Sequence, residues 1–256
     1  MSYNSLFNLS NKVAVVVGGA GLIGSEIVKG LSDFGAKVYI ADINKQAAAK
    51  IKARGIKFIY LDIASEDSIY QALNTVCKEA KRIDILVNCA YPRTNDWGLE
   101  LEKVPFDSWK ENVNNHLGGY FICSRAAAEL MKKKTGGVII NFASIYGVVA
   151  PDFSIYQGTK ITMPAAYSAI KGGIVNFTKY LATYYAKYNI RANVISPGGV
   201  FNQQDPSFVK RYAGKTPLKR MAKPQDVVGA VIYLSSEAAS YVTGQNILVD
   251  GGWSVW

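Results

Sequence analysis

The sequence has 256 residues, of which 49% are hydrophobic and 19% are charged, so the chain can bury a large core and does not belong to the disordered class. Lys and Arg number 29 against 19 Asp and Glu, a net charge of +10, but no recognition helix or aromatic RNA motif accompanies this charge, and we expect no nucleic-acid partner. The three cysteines lack the spacing of a disulfide framework and the N-terminus does not resemble a signal peptide, so we expect a cytoplasmic protein. With one histidine and no apolar run near the ~20 residues of a membrane helix, we expect no metal site and no membrane contact.

Short β-branched runs alternate with longer amphipathic stretches along the chain. We predict strands at 12–17, 37–41, 57–61, 83–87, 138–142, 191–195 and 246–249. We predict helices at 23–34, 66–80, 109–131, 166–188 and 225–235. This alternation predicts an α/β fold, a single Rossmann-type domain over 1–256 with a doubly wound parallel sheet of about seven strands.

Two long segments, 146–164 and 198–217, lack a clear hydrophobic period. Each follows a predicted strand, and ligands of doubly wound sheets bind beyond the carboxyl ends of the strands. We therefore expect both segments to form substrate loops.

The first predicted strand runs into a glycine-rich turn that precedes a helix. Gly18, Gly21 and Gly24 follow a GxxGxxG pattern, and the turn also contains GxGxxG and the residues Leu22 and Ile23. Glycines allow a tight turn and let backbone N–H groups approach a pyrophosphate at the start of the helix. We predict that this turn holds a dinucleotide.

Asp42 lies at the end of the second predicted strand, eighteen positions after Gly24. A carboxylate there can accept hydrogen bonds from both ribose hydroxyls, and it would repel a 2′-phosphate. The sequence therefore predicts NAD, with NADP less favoured. The alternative is that Asp42 merely caps the following helix.

Tyr167 and Lys171 are four residues apart on a predicted helix and so share one face. A cation beside a phenol favours the phenolate, although lowering the pKa of a tyrosine from ~10 to ~7 requires about 4 kcal/mol. Such a tyrosine could move a proton at neutral pH. A Tyr–Lys pair at this spacing is also commonplace on solvated helix faces.

Five motifs occur in a fixed order along the chain. They are the glycine turn, Asn141-Phe142-Ala143-Ser144, the Tyr167/Lys171 pair, Pro197-Gly198-Gly199, and the ending from Val242-Thr243-Gly244 to Asp250-Gly251-Gly252. Together they resemble the short-chain dehydrogenase/reductase family, mainly its classical branch, over about 12–253. The resemblance implies a Rossmann-type oxidoreductase that uses a nicotinamide coenzyme.

The resemblance also implies roles for single residues. Ser144 would hydrogen-bond the substrate oxygen, Tyr167 would be the general acid or base, and Lys171 would bind the nicotinamide ribose. It assigns coenzyme contacts to Asp62 and Ile63 at the adenine, to Asn88 and Ala90 after the fourth strand, and to Pro197, Gly198 and Val200 along the nicotinamide.

The chain departs from the family pattern at three informative positions. Val17 replaces the usual threonine, and Tyr91 replaces a glycine of the Asn-Asn-Ala-Gly segment. His116 lies where the family has a helix asparagine that supports a water relay. His116 is therefore a candidate catalytic residue; the alternatives are a purely structural histidine and a shifted register that brings Asn115 to this position.

The segment between Ser144 and Tyr167 is longer than is usual in this family. It offers hydroxyls, amides, the carboxylate of Asp152 and the ammonium of Lys160. This composition favours a polar, polyhydroxylated substrate over a fatty acyl chain, and a surface loop or oligomer contact is the alternative. The segment also resembles family members linked to bacterial surface-sugar and flagellin-glycan synthesis.

Tyr180, Tyr184 and Tyr188 recur every four residues on the helix that carries the Tyr–Lys pair. In the resembled family this helix packs across a dimer axis within tetramers, so we expect a homodimer or homotetramer; intramolecular packing is the alternative.

The sequence as a whole predicts an NAD-dependent oxidoreductase that interconverts a secondary alcohol and a ketone on a sugar or sugar-derived small molecule. The alternatives are a 3-oxoacyl-thioester reductase, an NAD-assisted epimerase, and a dinucleotide-binding scaffold without turnover.

Overall fold

The computed structural model describes residues 2–134, 136–159 and 162–256 and contains one parallel sheet of seven strands. The strand order across the sheet is β3-β2-β1-β4-β5-β6-β7, with every pair of neighbours parallel. The strands are β1 (Val13–Val17), β2 (Lys37–Asp42), β3 (Ile56–Tyr60), β4 (Ile85–Asn88), β5 (Gly137–Phe142), β6 (Ile190–Pro197) and β7 (Asn246–Val249). The predicted doubly wound sheet is confirmed.

Helices cover both faces of the sheet, which buries its β-branched strands on each side. They are α1 (Leu22–Asp33), α2 (Lys45–Ala48), α3 (Glu66–Ala80), α4 (Phe106–Val113), α5 (Gly119–Met131), α6 (Ala165–Tyr185), α7 (Pro206–Lys215) and α8 (Val228–Ser235). One core forms where α3, α5 and α6 pack on the sheet, and a second forms where α1 and α8 pack on the opposite face. None of the helices in the described ranges is long and apolar enough to cross a membrane.

The predicted loop at 198–217 is wrong in part, because α7 occupies its second half. Asp205 caps this helix by accepting a hydrogen bond from the Ser207 N–H at 2.8 Å, and Pro206 takes the first helical position. Phe208 and Tyr212 lie four residues apart and are buried beneath the helix. The sequence therefore contained signals for this helix: the N-cap Asp205, Pro206, and the apolar pair Phe208 and Tyr212.

Two predicted helices are also less regular than expected. The predicted helix 109–131 consists of α4, a π-helical turn at Asn114–Gly118 and α5. The predicted helix 225–235 begins with a 3₁₀ turn at Pro224–Val227. Single π-helical turns inside α-helices are frequent at functional sites, and the π-helical turn in this chain contains His116.

The carboxyl ends of all seven strands point to one edge of the sheet, since the sheet is parallel throughout. The chain order reverses between β1 and β4, which are direct neighbours with Val17 opposite Asn88. Such a switch point leaves a crevice between diverging connections. The segments that follow β1, β2, β4, β5 and β6 line this crevice.

Candidate active site

A cleft of about 1160 Å³ runs along the carboxyl edge of the sheet. Its walls include the predicted catalytic residues Ser144, Tyr167 and Lys171. They also include most of the predicted coenzyme residues: Gly18, Gly21, Leu22, Ile23, Gly24, Asp42, Asp62, Ile63, Ala90, Pro197, Gly198 and Val200. Asn88 and His116 are not among the described residues that line the cleft.

The glycine turn fits a group that must approach the backbone closely. Gly18 has a φ of +78°, and a Cβ there would lie 2.5 Å from the Cα of Ala90. A Cβ on Gly24 would lie 2.1 Å from the carbonyl oxygen of Gly18. Gly21 precedes the first residue of α1 and has no side chain to cap it, so the first N–H groups of α1 remain available to an anion. These features fit the pyrophosphate of a dinucleotide.

Asp42 is fixed at the cleft wall by two backbone contacts. Its Oδ2 accepts a hydrogen bond from the Ala20 N–H at 2.9 Å, and its Oδ1 accepts one from the Asn44 N–H at 2.9 Å. The helix-cap alternative is wrong, since the side chain of Asn44 caps α2 by accepting from the Ala47 N–H. Asp42 therefore links the glycine turn to the end of β2 and presents its charge to the cleft.

The catalytic candidates come together from two elements. Ser144 follows β5, whereas Tyr167 and Lys171 lie on the first turns of α6, and the Tyr167 hydroxyl shares a hydrogen bond with Ser144. The Lys171 ammonium donates to the Phe142 carbonyl at 2.9 Å, and its Nζ lies 5.6 Å from the centre of the Tyr167 ring. Lys171 is only 4% exposed, so its charge is partly desolvated.

Burial dominates the electrostatics of this group in the free protein. Burial raises the pKa of Tyr167, and the hydrogen bond with Ser144 offsets this in part. Burial lowers the pKa of Lys171 to about 7. In the free protein the offsetting contribution to the pKa of Tyr167 comes from Ser144 and not from Lys171, so the role of Lys171 in favouring the phenolate stays a prediction.

His116 lies beneath the cleft and contacts the lysine directly. Its Nε2 is 3.3 Å from Lys171 Nζ, the residue is fully buried, and its Nδ1 has no hydrogen-bond partner among the described residues. Burial, followed by the charge of Lys171, lowers the pKa of His116 well below its usual value. A neutral imidazole can accept a hydrogen bond from the ammonium through Nε2. The structure thus brings His116, and not Asn115, to the lysine.

Asn88 lies within the sheet and not at the coenzyme cleft. Its Nδ2 donates to Asn141 Oδ1 at 2.9 Å and to Ser124 Oγ at 3.2 Å. Asn141 in turn donates to Thr178 Oγ1 at 2.9 Å. The side chain of Asn88 therefore joins β4 to β5 and α5, and Asn141 extends this network to α6, whereas Cys89 and Ala90, the next residues, line the cleft.

The long segment 146–164 contributes rings and hydroxyls to the substrate side. Tyr146 and Tyr156 line the cleft, with their hydroxyls 3.3 Å apart. The carboxylate of Asp152 instead forms an ion pair with Lys215 at the end of α7. Lys160, whose ammonium we expected near the ligand, lies outside the described residues.

Several cleft residues that follow β4 were not assigned a role from the sequence, among them Arg93, Thr94 and Trp97. They belong to the segment 91–97 next to the catalytic tyrosine. A tryptophan and an arginine so soon after a strand end, on the ligand-binding edge of the sheet, were the available signal.

Known proteins resemble this chain along nearly its whole length. The family model described as Enoyl-(Acyl carrier protein) reductase matches residues 18–254. Post-translational flagellin modification protein A of Campylobacter coli is 32% identical over 255 residues, covering 96% of this chain and 100% of that protein.

Two solved structures share the fold. The short-chain dehydrogenase of Leptospira borgpetersenii with bound NAD+ has a TM-score of 0.90 at 38% identity, covering 99% of this chain and 97% of the other. The gluconate 5-dehydrogenase of Burkholderia cenocepacia in complex with NADP and tartrate has a TM-score of 0.88 at 28% identity, covering 98% of each chain. With the Ser144, Tyr167 and Lys171 cluster beside a glycine turn, these matches show that the chain belongs to the short-chain dehydrogenase/reductase family of oxidoreductases.

Proposed function

We propose that this protein is an NAD-dependent oxidoreductase that interconverts a secondary alcohol and a ketone on a sugar or sugar-derived substrate. The observation that carries the proposal is the meeting of Ser144, Tyr167 and Lys171 in the same cleft as the glycine turn. A bound nicotinamide would supply or accept the hydride. The intact cluster argues against a scaffold without turnover.

Each residue of the cluster has a defined task in this proposal. Ser144 and Tyr167 hold the substrate oxygen, because both line the cleft and the Ser144 side chain is near enough to Tyr167 to lower its pKa. Tyr167 gives the proton to that oxygen in reduction and removes it in oxidation. The Lys171 ammonium, held by the Phe142 carbonyl, binds the nicotinamide ribose and stabilises the phenolate. A positioned acid–base group of this kind typically contributes a factor of 10²–10⁴ to the rate.

His116 supports Lys171 in this proposal as a positioning residue and proton-relay partner. Its Nε2 accepts from the ammonium, which compensates in part for the desolvation of that charge. A purely structural histidine is the competing role, and the pH profile of the His116→Asn variant distinguishes the two.

The choice of NAD rests on the carboxylate of Asp42. Its two backbone contacts hold a negative charge at the cleft wall beside the glycine turn, and a carboxylate there would repel a 2′-phosphate, which disfavours NADP. The relative from Leptospira borgpetersenii binds NAD+, whereas the gluconate 5-dehydrogenase binds NADP. The same residue disfavours a 3-oxoacyl-thioester reductase, which generally uses NADPH.

The proposal of a polar substrate depends on the hydroxyl groups that line the cleft. Tyr146 and Tyr156 offer two phenols opposite the catalytic pair, a lining that suits a polyol better than an acyl chain. The gluconate 5-dehydrogenase relative supports a sugar-derived substrate. Cys77, Cys89 and Cys123 are all unpaired thiols, which supports a reducing cytoplasm as the site of the reaction.

The test is an absorbance assay for reduced nicotinamide with NAD or NADP and a panel of polyols and sugars. We expect turnover with NAD, and we expect Tyr167→Phe to lower turnover about 10²–10⁴-fold while coenzyme binding measured by calorimetry is retained. Tyr241→Phe makes the same chemical change at a fully exposed position and should leave turnover unchanged. Turnover in Tyr167→Phe as fast as in the wild type would contradict the assigned proton transfer.

A further inference from the structure

Two aromatic rings stand directly beside the catalytic tyrosine on the wall that follows β4. The Trp97 Nε1–H donates to the Tyr91 hydroxyl at 2.7 Å, and the two rings meet edge to face with their centres 5.8 Å apart. The Tyr167 ring lies 5.7 Å from Tyr91 and 6.3 Å from Trp97, centre to centre. We call Tyr91, Arg93 and Trp97 the aromatic wall. The aromatic wall therefore borders the place that a substrate oxygen at Tyr167 would occupy.

The aromatic wall is held in place by α4. Asn112, which is only 3% exposed, accepts a hydrogen bond from the Thr94 N–H at 3.1 Å and donates to Thr94 Oγ1 at 2.7 Å. Asp96 Oδ1 accepts from Ser108 Oγ at 2.8 Å. The segment is therefore arranged before a ligand arrives, which reduces the entropy lost on binding.

Arg93 gives this wall a positive charge. Its guanidinium lies 5.7 Å from the centre of the Tyr91 ring and forms no hydrogen bond or ion pair with any described residue. The carboxylates of the described cleft, Asp42 and Asp62, line it beside the glycine turn, at the ends of β2 and β3. Lys171 is committed to the Phe142 carbonyl and His116. Arg93 is thus the exposed cation of the substrate half of the described cleft.

The chemistry of these groups defines a ligand. Aromatic rings with polar tips pack against the C–H face of a polyol, and a planar guanidinium matches the oxygens of a carboxylate or phosphate. We propose that the aromatic wall selects an anionic polyol, with the carbon chain packed on Tyr91 and Trp97 and a carboxylate or phosphate bound by Arg93. This inference rests on the proposed function and names its substrate class.

Three six-carbon probes separate the charge from the polyol: glucitol, which is neutral, gluconate and glucitol 6-phosphate. They are titrated calorimetrically into Tyr167→Phe protein saturated with NAD+, where binding is measured without turnover. We expect at least one anion to bind tenfold or more tightly than glucitol. Which anion binds more tightly distinguishes a carboxylate from a phosphate as the recognised group.

Arg93→Gln, made in the same protein, should weaken anion binding about tenfold to a hundredfold and leave glucitol binding within a factor of two. Arg54→Gln removes an equal charge from an exposed position outside the cleft and should change neither. Anion binding that survives Arg93→Gln, equal weakening of all three probes, or no preference for anions would overturn the proposal. Failure of NAD+ itself to bind would instead refute the proposed function, and the same titrations without coenzyme would still decide on Arg93.

Discussion

At the scale of single residues, burial shifts the pKa values of Tyr167 and Lys171 in opposite directions. It raises the pKa of Tyr167 and lowers that of Lys171 to about 7, because both charged forms lose hydration. In the free protein, burial thus favours the neutral phenol of Tyr167 and the neutral amine of Lys171. A positively charged nicotinamide ring in the same cleft would favour the phenolate, so coenzyme binding and acid–base function are coupled in this site.

Lys171 makes stability depend on pH with a definite sign. Its pKa in the folded protein, about 7, lies below the ordinary value of 10.5, so between these values the unfolded chain binds more protons and stability rises with pH. The difference in melting temperature between the wild type and Lys171→Met should therefore increase in favour of the wild type from pH 7 to ~9.5. Lys179→Met, at an exposed position on the same helix, should show no such trend in differential scanning calorimetry. A flat difference for Lys171→Met would contradict the lowered pKa.

His116→Asn tests the support that the imidazole gives to Lys171. Asparagine is shorter and does not titrate, so the ammonium loses its acceptor at 3.3 Å. We expect kcat to fall by about tenfold, the worth of one hydrogen bond to a charged group, and the pH profile of kcat to shift. An unchanged kcat and an unchanged profile would leave His116 with a structural role only.

Asp42→Ser tests the discrimination between coenzymes. Removing the carboxylate removes its repulsion of a 2′-phosphate, so the ratio of kcat/KM for NAD over NADP should fall by about tenfold or more, equivalent to ~1.4 kcal/mol. Asp67→Asn, on the exposed side of α3, removes a charge elsewhere and should leave the ratio unchanged. A ratio that stays constant in Asp42→Ser would remove this role from Asp42.

At the scale of elements, the turn between β1 and α1 depends on the absence of two side chains. Gly24→Ala would place a methyl group 2.1 Å from the Gly18 carbonyl, which forces the turn to move. We expect this variant to fold but to lose measurable NAD+ binding in calorimetry. Gly229→Ala, in open space on α8, should retain binding and gain roughly 0.5–1 kcal/mol in the free energy of unfolding. Normal NAD+ affinity in Gly24→Ala would contradict the pyrophosphate site.

On the substrate side, α7 in the segment 198–217 contacts the segment 146–164. Arg211 Nε donates to the Ile155 carbonyl at 3.0 Å, and Lys215 pairs with Asp152. The rings of Tyr156 and Phe208 pack with their centres 5.3 Å apart. The two segments therefore pack against each other on the substrate side of the cleft.

The sequence predicted what is local and missed what depends on the assembled cleft. The strands follow from β-branched runs, and the glycine turn with Asp42 follows from spacing. The helix α7 was missed because its glycine and proline neighbours obscured the cap at Asp205. Asp152 forms its ion pair with Lys215, which is distant in sequence, and the pKa of Lys171 is lowered because distant segments bury its side chain. No local sequence pattern encodes either feature.

At the scale of the whole molecule, α5 and α6 leave an aromatic face uncovered. Tyr180 and Tyr184 are 60% and 52% exposed and stack with their ring centres 5.7 Å apart, while Phe121, beside Phe177, is 42% exposed. Exposed apolar surface of this kind marks an interaction site. Together with the family resemblance, it supports the homodimer or homotetramer that the sequence predicts.

Tyr184→Glu tests this interface. A buried carboxylate without a partner is strongly unfavourable, so the variant should shift the assembly toward the 27.9 kDa monomer in sedimentation velocity. Tyr3→Glu, at an exposed position on the N-terminal turn, should sediment as the wild type does. A wild-type oligomer that is unaffected by Tyr184→Glu would place the contact on another face.

In the proposed reaction this cleft transfers a hydride between a nicotinamide and a substrate carbon while Tyr167 moves the proton. Mass spectrometry tests this reaction on the alcohol formed from a sugar-derived ketone and NADH that carries deuterium at the transferable C4 position. We expect one deuterium on the carbinol carbon and a rate about 10²–10⁴-fold lower in Tyr167→Phe, with the label in the same place. Product without deuterium, or a Tyr167→Phe variant as fast as the wild type, would contradict it.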